Sequence, residues 1–281
     1  MIETFHSIIL GAVQGITEFV PISSSGHLVL VPWLFGWNYG GLAFDVALHL
    51  GTVLAIMVFF WKDWMAIIRK GLGLRTQDSD SEHATQDLRP ETRDLNAYPS
   101  NLLWQIIIAS IPAAILGYLI EDYVESKLHS PLLLAFNLAV FGVILFLVDK
   151  YAKTKLEIKN AKYKQSFIVG IAQSLALIPG VSRSGITMLA GRALGLNRES
   201  AARFSFLLGT PAMIGAFLFA AKDLTASDLS FAFICGVVSS TIFGFLAIKY
   251  LLEYLKKGSF AVFMWYRIAL AVIVMAVYFA R

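Results

Sequence analysis

The sequence predicts an all-α polytopic membrane protein with six transmembrane helices plus two re-entrant helix pairs, arranged as an inverted-topology repeat. Composition, run length and internal repetition carry that expectation. Hydrophobic residues make up 57% of the 281 residues and charged residues only 15%, and the mean hydropathy is +0.69. A soluble domain of this length needs a charged surface that the chain cannot supply. The apolar residues also fall in runs of roughly 20, the length that crosses a bilayer core.

Six segments read as full spans, at about 43–62, 101–121, 131–149, 200–221, 229–252 and 260–280. Two further apolar regions, about 4–36 and 165–195, are each broken near the middle, by PISSSGH at Pro21–His27 and PGVSRSG at Pro179–Gly185. Proline inside a helix costs about 3 kcal/mol and removes a backbone donor. Such a break is tolerated at membrane depth only where the backbone lines an enclosed or watery cavity. Each region is therefore expected to be a pair of short re-entrant helices; two kinked full spans are the alternative. The start, MIETFHSIILGAVQG, lacks a basic n-region and a cleavage site, so the first hydrophobic segment is expected to stay in place. The stretch Arg75–Asn96 is polar and mixed in charge, and reads as a flexible cytoplasmic loop, about 75–96.

The chain repeats itself. GAVQ at Gly11–Gln14 answers GIAQ at Gly170–Gln173, PISSSGHL at Pro21–Leu28 answers PGVSRSGI at Pro179–Ile186, and LGTVLAI at Leu50–Ile56 answers LGTPAMI at Leu208–Ile214. The offsets are all 158 or 159 residues. The chain reads as one integral membrane domain, 1–281, with repeats at about 1–150 and 160–281. If a re-entrant pair returns to its own side, each half crosses three times, and the odd number turns the second half upside down. The loops near 62–100, 150–164, 195–200 and 252–259 share one face in this scheme and carry most of the loop lysines and arginines. Positive-inside bias assigns that face to the cytoplasm. The first broken region then enters from outside, the second from the cytoplasm, and their polar tips are expected to meet near the midplane.

Gln14 and Glu18, four residues apart, share one helix face. A carboxylate inside an apolar run is a functional candidate by default, and the two side chains offer oxygen ligands for a hard cation such as Mg²⁺ or Ca²⁺. A structural hydrogen-bonded pair is the alternative. Ser23, Ser24 and Ser25 lie at the first break, followed by Gly26 and His27. Hydroxyls beside an imidazole supply a nucleophile and a proton-transfer group; one serine is expected only to cap the broken helix. Arg183 stands within the second break, and its guanidinium fork matches a phosphate. Ser182, Ser184, Thr187 and the amides of the following helix add to an anion cradle. An arginine snorkelling to the interface is the competing account. His49 and Arg203 flank the LGT repeats and are weaker candidates for the same cavity. The tryptophans read as interfacial anchors, and Cys235, the single cysteine, as a packing residue. The net charge of +4 reads as loop lysine bias and gives no reason to expect nucleic-acid binding.

With these motifs in view, the chain resembles the bacterial undecaprenyl-diphosphate phosphatases, the bacitracin-resistance family. The resemblance covers essentially the whole length. It is most specific in QGITEFVPISSSGH (Gln14–His27) and PGVSRSGIT (Pro179–Thr187), and continues through RFSFLLGTPAMIGA (Arg203–Ala216). The 75–96 stretch is longer than this loop commonly is in the family. The resemblance implies metal-dependent hydrolysis of the C55 isoprenoid diphosphate to its monophosphate. It also implies a multi-pass protein of the bacterial plasma membrane with a site opening to the outer face. On that reading Arg183, with Ser182 and Thr187, holds the diphosphate, with Ser23, Ser25 and Ser184 as further substrate contacts. Glu18 and Gln14 hold the divalent cation, Ser24 is the nucleophile and His27 transfers the proton. Attack by metal-bound water and His27 as nucleophile are the second and third choices. The prenyl chain stays among the helices, so the substrate is expected to enter sideways from lipid. A secondary transporter or flippase of a lipid phosphate is the alternative from a different class, since inverted repeats with broken helices also suit transport. A homodimer is compatible with the sequence, but no feature demands one.

Overall fold

A computed structural model describes residues 2–37, 41–74, 98–127, 130–152, 156–222, 224–225 and 228–280. The expected cytoplasmic loop at 75–96 lies outside the described residues. Eleven α-helices make up the fold among them: α1 (Ile2–Phe19), α2 (Ser24–Phe35), α3 (Gly41–Phe59), α4 (Trp61–Gly71), α5 (Leu102–Lys127), α6 (Pro131–Tyr151), α7 (Tyr163–Ser174), α8 (Arg183–Ala193), α9 (Arg198–Ala221), α10 (Phe231–Leu255) and α11 (Ala261–Ala280). Their starts follow ordinary end chemistry. Pro131 opens α6 at a position where its missing donor costs nothing. Asn197 and Ser230 cap α9 and α10 by accepting from the Ser200 and Phe233 amides.

Five helices (within α5, then α6, α9, α10 and α11) are long and apolar enough to cross a membrane, and α3 with α4 forms a sixth path bent by 68°. The six expected spans thus find helices, with one difference. The segment after residue 60, read from sequence as loop, continues as α4. That helix is two-faced: Asp63, Ala66 and Ile67 are buried while Lys62 and Arg69 are exposed. Both broken regions are helix pairs, but unequal ones. The 18 residues of α1 rise about 27 Å, against about 18 Å for the 12 of α7.

The two halves interlock. Helix α10, from the second half, packs along α1 and α3 of the first, while α5 packs on α7 and α6 on α11. Small residues make the α1–α10 approach close: a Cβ on Gly11 would fall 2.7 Å from the Gly236 carbonyl oxygen, and one on Gly15 2.6 Å from that of Ser240. In an apolar solvent, close backbone packing of this kind is what holds helices together. At one end of the bundle, buried Asp149 of α6 accepts from Arg192 Nε at 2.9 Å, Arg198 Nε at 2.8 Å and the Phe260 amide at 3.3 Å. Arg198 also donates to the Gly258 carbonyl. Nearby Tyr98 donates to Asp63 at 2.6 Å. Burial, with that carboxylate, holds the Tyr98 hydroxyl well above its usual range, so it remains a donor.

Candidate functional site

The site is built where the two helix breaks touch. Ser23 begins α2 at φ 73° and Ser182 begins α8 at φ 72°, the only non-glycine residues with positive φ among those described. An L-residue in that region costs roughly 1–3 kcal/mol and persists only where its surroundings impose it. Here the surroundings are hydrogen bonds. The Ser182 hydroxyl accepts from the Gly185 amide, and Ser182 and Ser184 hydroxyls pair at 3.2 Å. At the first break, Ser23 and Ser25 hydroxyls pair at 3.3 Å. The Ser23 side chain makes no cap bond, so the expectation that one serine of this trio caps α2 through its hydroxyl is not met. Its carbonyl instead accepts from His27 Nδ1 at 2.7 Å.

Three links join one break to the other. Arg183 Nη2 donates to Glu18 Oε1 at 2.9 Å, an ion pair whose side chains are only 15% and 11% exposed. The Ser184 hydroxyl donates to the Val20 carbonyl at 3.3 Å. Arg267 of α11 has no exposed surface and donates to the carbonyls of Pro21, Gly180 and Val181, and to those of Asn137 and Leu138 on α6. The polar tips of the two breaks therefore meet.

Glu18 is the hub. Its Oε2 accepts from the Ser24 hydroxyl at 2.6 Å and from Gln14 Nε2 at 3.2 Å, and His49 lies within its electrostatic reach. Arg203 does not share this centre; it pairs with Glu199 at 3.0 Å and lies 4.0 Å from Asp63. Thr187 is turned inward, donating to the Arg183 carbonyl and pairing with the Ser205 hydroxyl. Both ring nitrogens of buried His27 are occupied away from Ser24. Since Nδ1–H donates to a carbonyl, neutral Nε2 accepts from Tyr266 Oη at 2.7 Å. Chemically, the arrangement offers a hydroxyl with a carboxylate ready to receive its proton, beside a guanidinium fork able to turn from that carboxylate to an anion.

The donors also fit a divalent cation that shares its ligands with a substrate. Gln14 is fully buried, and its Oε1 has no protein partner. Among the described residues no group of three or more His, Cys, Asp or Glu side chains could hold a metal. Mg²⁺ characteristically takes one or two protein oxygens and completes its shell with phosphate and water, which is what Gln14 Oε1 and Glu18 offer. Gln173 stands nine residues before Ser182, as Gln14 does before Ser23. It is buried as well, with neither amide atom partnered.

Sequence reasoning passed over Tyr266, Arg267 and Gln173. Arg267 had a usable signal, an arginine in the middle of an apolar span. Gln173 had its place in the repeat. Tyr266 had none, because its contact with His27 spans 239 residues.

Fold and site together define a polytopic helical membrane protein with a charged, hydroxyl-rich centre enclosed where two helix breaks meet. The chain belongs to the bacitracin resistance protein BacA family, whose model matches residues 7–273. Curated relatives named undecaprenyl-diphosphatase include one from Pelotomaculum thermopropionicum, 47% identical over 274 residues, covering 97% of this chain and 96% of the relative. Another, from Moorella thermoacetica, is 45% identical over 276 residues and covers 98% of each chain. A third, from Desulforudis audaxviator, is 41% identical over 277 residues, with 99% of this chain and 98% of the relative covered.

Proposed function

We propose that this protein hydrolyses undecaprenyl diphosphate to undecaprenyl phosphate and inorganic phosphate, recycling the lipid carrier for cell-wall synthesis and so giving bacitracin resistance. Family membership supplies the substrate. The observation that carries the chemistry is the Ser24–Glu18–Arg183 chain, with bonds of 2.6 and 2.9 Å running from one break into the other.

Arg183 leaves Glu18 for the diphosphate, which it grips through its fork, helped by the Ser182–Ser184 hydroxyl pair and the amides opening α8. Ser24 Oγ then bonds to the terminal phosphorus as the bridging P–O bond breaks. The electron pair leaves with undecaprenyl phosphate, and the hydroxyl proton passes to Glu18 Oε2, which releases it to solvent. In the second step Glu18 takes a proton from water as its oxygen attacks the phosphoserine, and returns a proton to Ser24 Oγ as phosphate departs. The proton role expected of His27 falls to Glu18 in this scheme, because neither nitrogen of His27 bonds Ser24. His27 instead fixes the Ser23 carbonyl and with it the angle of the serine turn. Gln14 Oε1 and Glu18 would hold a divalent cation (Mg²⁺ or Ca²⁺), which would supply neutralisation of the diphosphate charge.

The site opens to the outer face of the plasma membrane in this reading, and the halves are inverted relative to each other. Support comes from the grouping of the 149–152, 156–164, 195–198 and 256–260 segments. They meet through Asp149, Arg198, Gly258 and the Leu156–Gly195 hydrogen bond, and they hold Lys150, Lys159, Lys162, Lys164, Lys256 and Lys257. A basic face of this kind belongs to the cytoplasm. Phosphate release from farnesyl and undecaprenyl diphosphates by the purified protein, with Mg²⁺ or Ca²⁺ supplied, is the test. Release that disappears on chelation supports the reading; no release from either substrate refutes it. The phosphatase naming of the relatives favours hydrolysis over transport.

A further inference from the structure

Helix α8 packs on α9 through one matched stripe on each. Arg183 and Thr187 stand four residues apart on α8, and Ser205, Gly209 and Met213 recur at the same spacing on α9, so each set shares a helix face. The stripes run antiparallel. Thr187 pairs with the Ser205 hydroxyl at one end, and Arg183 Nη2 donates to Met213 Sδ at 3.0 Å at the other. All three α9 residues are buried. Between those ends the Arg183 guanidinium lies on the bare backbone of Gly209. A Cβ on Gly209 would overlap Arg183 Nη1 and fall 2.7 Å from Cζ; the third-nearest atom, at 3.5 Å, is Arg183 Nε. Groups other than Arg183 thus stand at ordinary contact distance or beyond, and the guanidinium alone excludes a methyl there. The counterpart glycine of the LGT repeat is used differently. A Cβ on Gly51 would fall 2.6 Å from the Val237 carbonyl oxygen of α10. The first glycine admits a helix, and the second admits a side chain.

We propose that Gly209 and Met213 are positioning residues for phosphate capture, forming a seat on α9 that aims the Arg183 fork at the incoming diphosphate. The inference rests on the phosphatase reading and adds the helix that directs its anion-binding residue. Arg183 Nη2 has two partners, Glu18 Oε1 at 2.9 Å and Met213 Sδ. A thioether sulfur is a weak acceptor. It therefore orients the fork yet yields it readily to a phosphate oxygen, where a carboxylate at that position would retain it. Gly209 supplies the room that lets the guanidinium lie flat against α9. The fork then reaches the diphosphate by turning on a fixed seat, and a pre-ordered side chain loses less freedom on binding. The stripe also accounts for the inward turn of Thr187, whose bond to Ser205 sets the register of α8 on α9.

The test places Gly209→Ala in two backgrounds of the full chain. Alanine is a better helix former than glycine, so without steric conflict the exchange raises the detergent Tm, by about 2 °C. That rise is expected in an Arg183→Ala background, where the guanidinium is gone. It is not expected in the otherwise wild-type chain, where the methyl displaces the fork. Should Arg183→Ala be too unstable to purify, Glu18→Gln with Arg183→Ala, which strands no carboxylate, serves as the background. In the otherwise wild-type chain, Gly209→Ala is also expected to lower kcat/KM for phosphate release from farnesyl diphosphate at least about tenfold, since a misplacement of about 1 Å can cost 10²-fold. Gly215→Ala is the control, at an exposed glycine of the same helix where a Cβ would meet nothing within 4 Å, and it is expected to keep full activity. Met213→Leu keeps the volume and removes the sulfur; its loss in kcat/KM is expected to be smaller than that of Gly209→Ala. An equal Tm shift in both backgrounds, or an unchanged kcat/KM in Gly209→Ala, overturns the seat. A larger loss in Met213→Leu than in Gly209→Ala also overturns it, because the glycine notch is then not the main support. If the wild type releases no phosphate, the phosphatase reading fails instead, and the paired Tm values still decide whether Gly209 seats Arg183.

Discussion

Ser23 and Ser182 hold one backbone conformation, φ 73° and 72°, at positions 159 residues apart, each opening the second helix of a broken region. The duplicated motif therefore encodes a duplicated local geometry. The two turns nevertheless carry different side chains at the next position, Ser24 in one and Arg183 in the other. One break presents a hydroxyl and the other a guanidinium, and Glu18 bonds both.

The conformation itself predicts a substitution series at Ser23. Glycine adopts positive φ without steric cost, whereas a β-branched residue is most opposed to it. Because the Ser23 hydroxyl makes no cap bond and only a long pairing with Ser25 at 3.3 Å, relief of the positive φ should outweigh its loss, and Ser23→Gly should leave the detergent Tm equal or higher. Ser23→Val should lower stability by about 2 kcal/mol. A valine variant as stable as the glycine one would show that the positive φ is not imposed by the fold.

The Glu18–Arg183 pair predicts that stability and activity separate. Removing one partner of a buried ion pair strands the other and costs roughly 3–5 kcal/mol, while replacing both with neutral groups removes that penalty. Arg183→Met and Glu18→Gln should each lower the Tm and abolish phosphate release, by 10³-fold or more as an order-of-magnitude expectation for lost charge stabilisation. The double variant should regain stability and stay inactive. Activity in the double variant would remove both residues from the mechanism.

The bonds at His27 predict an order of severity. Ser24→Ala and Glu18→Gln remove groups of the phosphoryl-transfer step itself, so both should lose at least 10³-fold in kcat as an order of magnitude. Tyr266→Phe removes only a hydroxyl bonded to His27 Nε2, and its loss should stay near tenfold, the scale of one neutral hydrogen bond. Mass spectrometry of protein quenched during turnover should find one added phosphoryl group on Ser24. A Tyr266→Phe variant as inactive as Ser24→Ala would return the proton role to His27.

Much of this was readable in the sequence because the membrane makes polar residues conspicuous. Glu18, Arg183 and the serine turns stand out inside apolar runs, and the break positions follow from Pro21 and Pro179. Helix α4 was missed because its apolar positions recur at helical spacing among lysines and arginines, a pattern that a search for continuous apolar runs discards. The inward turn of Thr187 toward Ser205, and the pairing of His27 with Tyr266, depend on how distant helices pack. The direction of a hydroxyl or an imidazole around its own helix is not set by local spacing alone.

Arg267 gives the last prediction, and it concerns assembly of the site rather than its chemistry. Its guanidinium donates to five backbone carbonyls contributed by both breaks and α6. These carbonyls sit where the helices are interrupted or packed closely, so they need a donor that water cannot supply in a buried setting. Arg267→Met leaves the carbonyls of Pro21, Gly180 and Val181 without this donor, at about 1–3 kcal/mol for each acceptor left unsatisfied. Lysine offers a compact ammonium in place of a planar fork, so it can serve only part of the set. The expected order of detergent Tm is wild type, then Arg267→Lys, then Arg267→Met, with the methionine variant losing more than Arg183→Met. Size-exclusion chromatography of fluorescently tagged variants over a temperature series measures that order. A lysine variant matching the wild type would mean that a buried charge near the breaks suffices, and that the fork holding both turns together is dispensable.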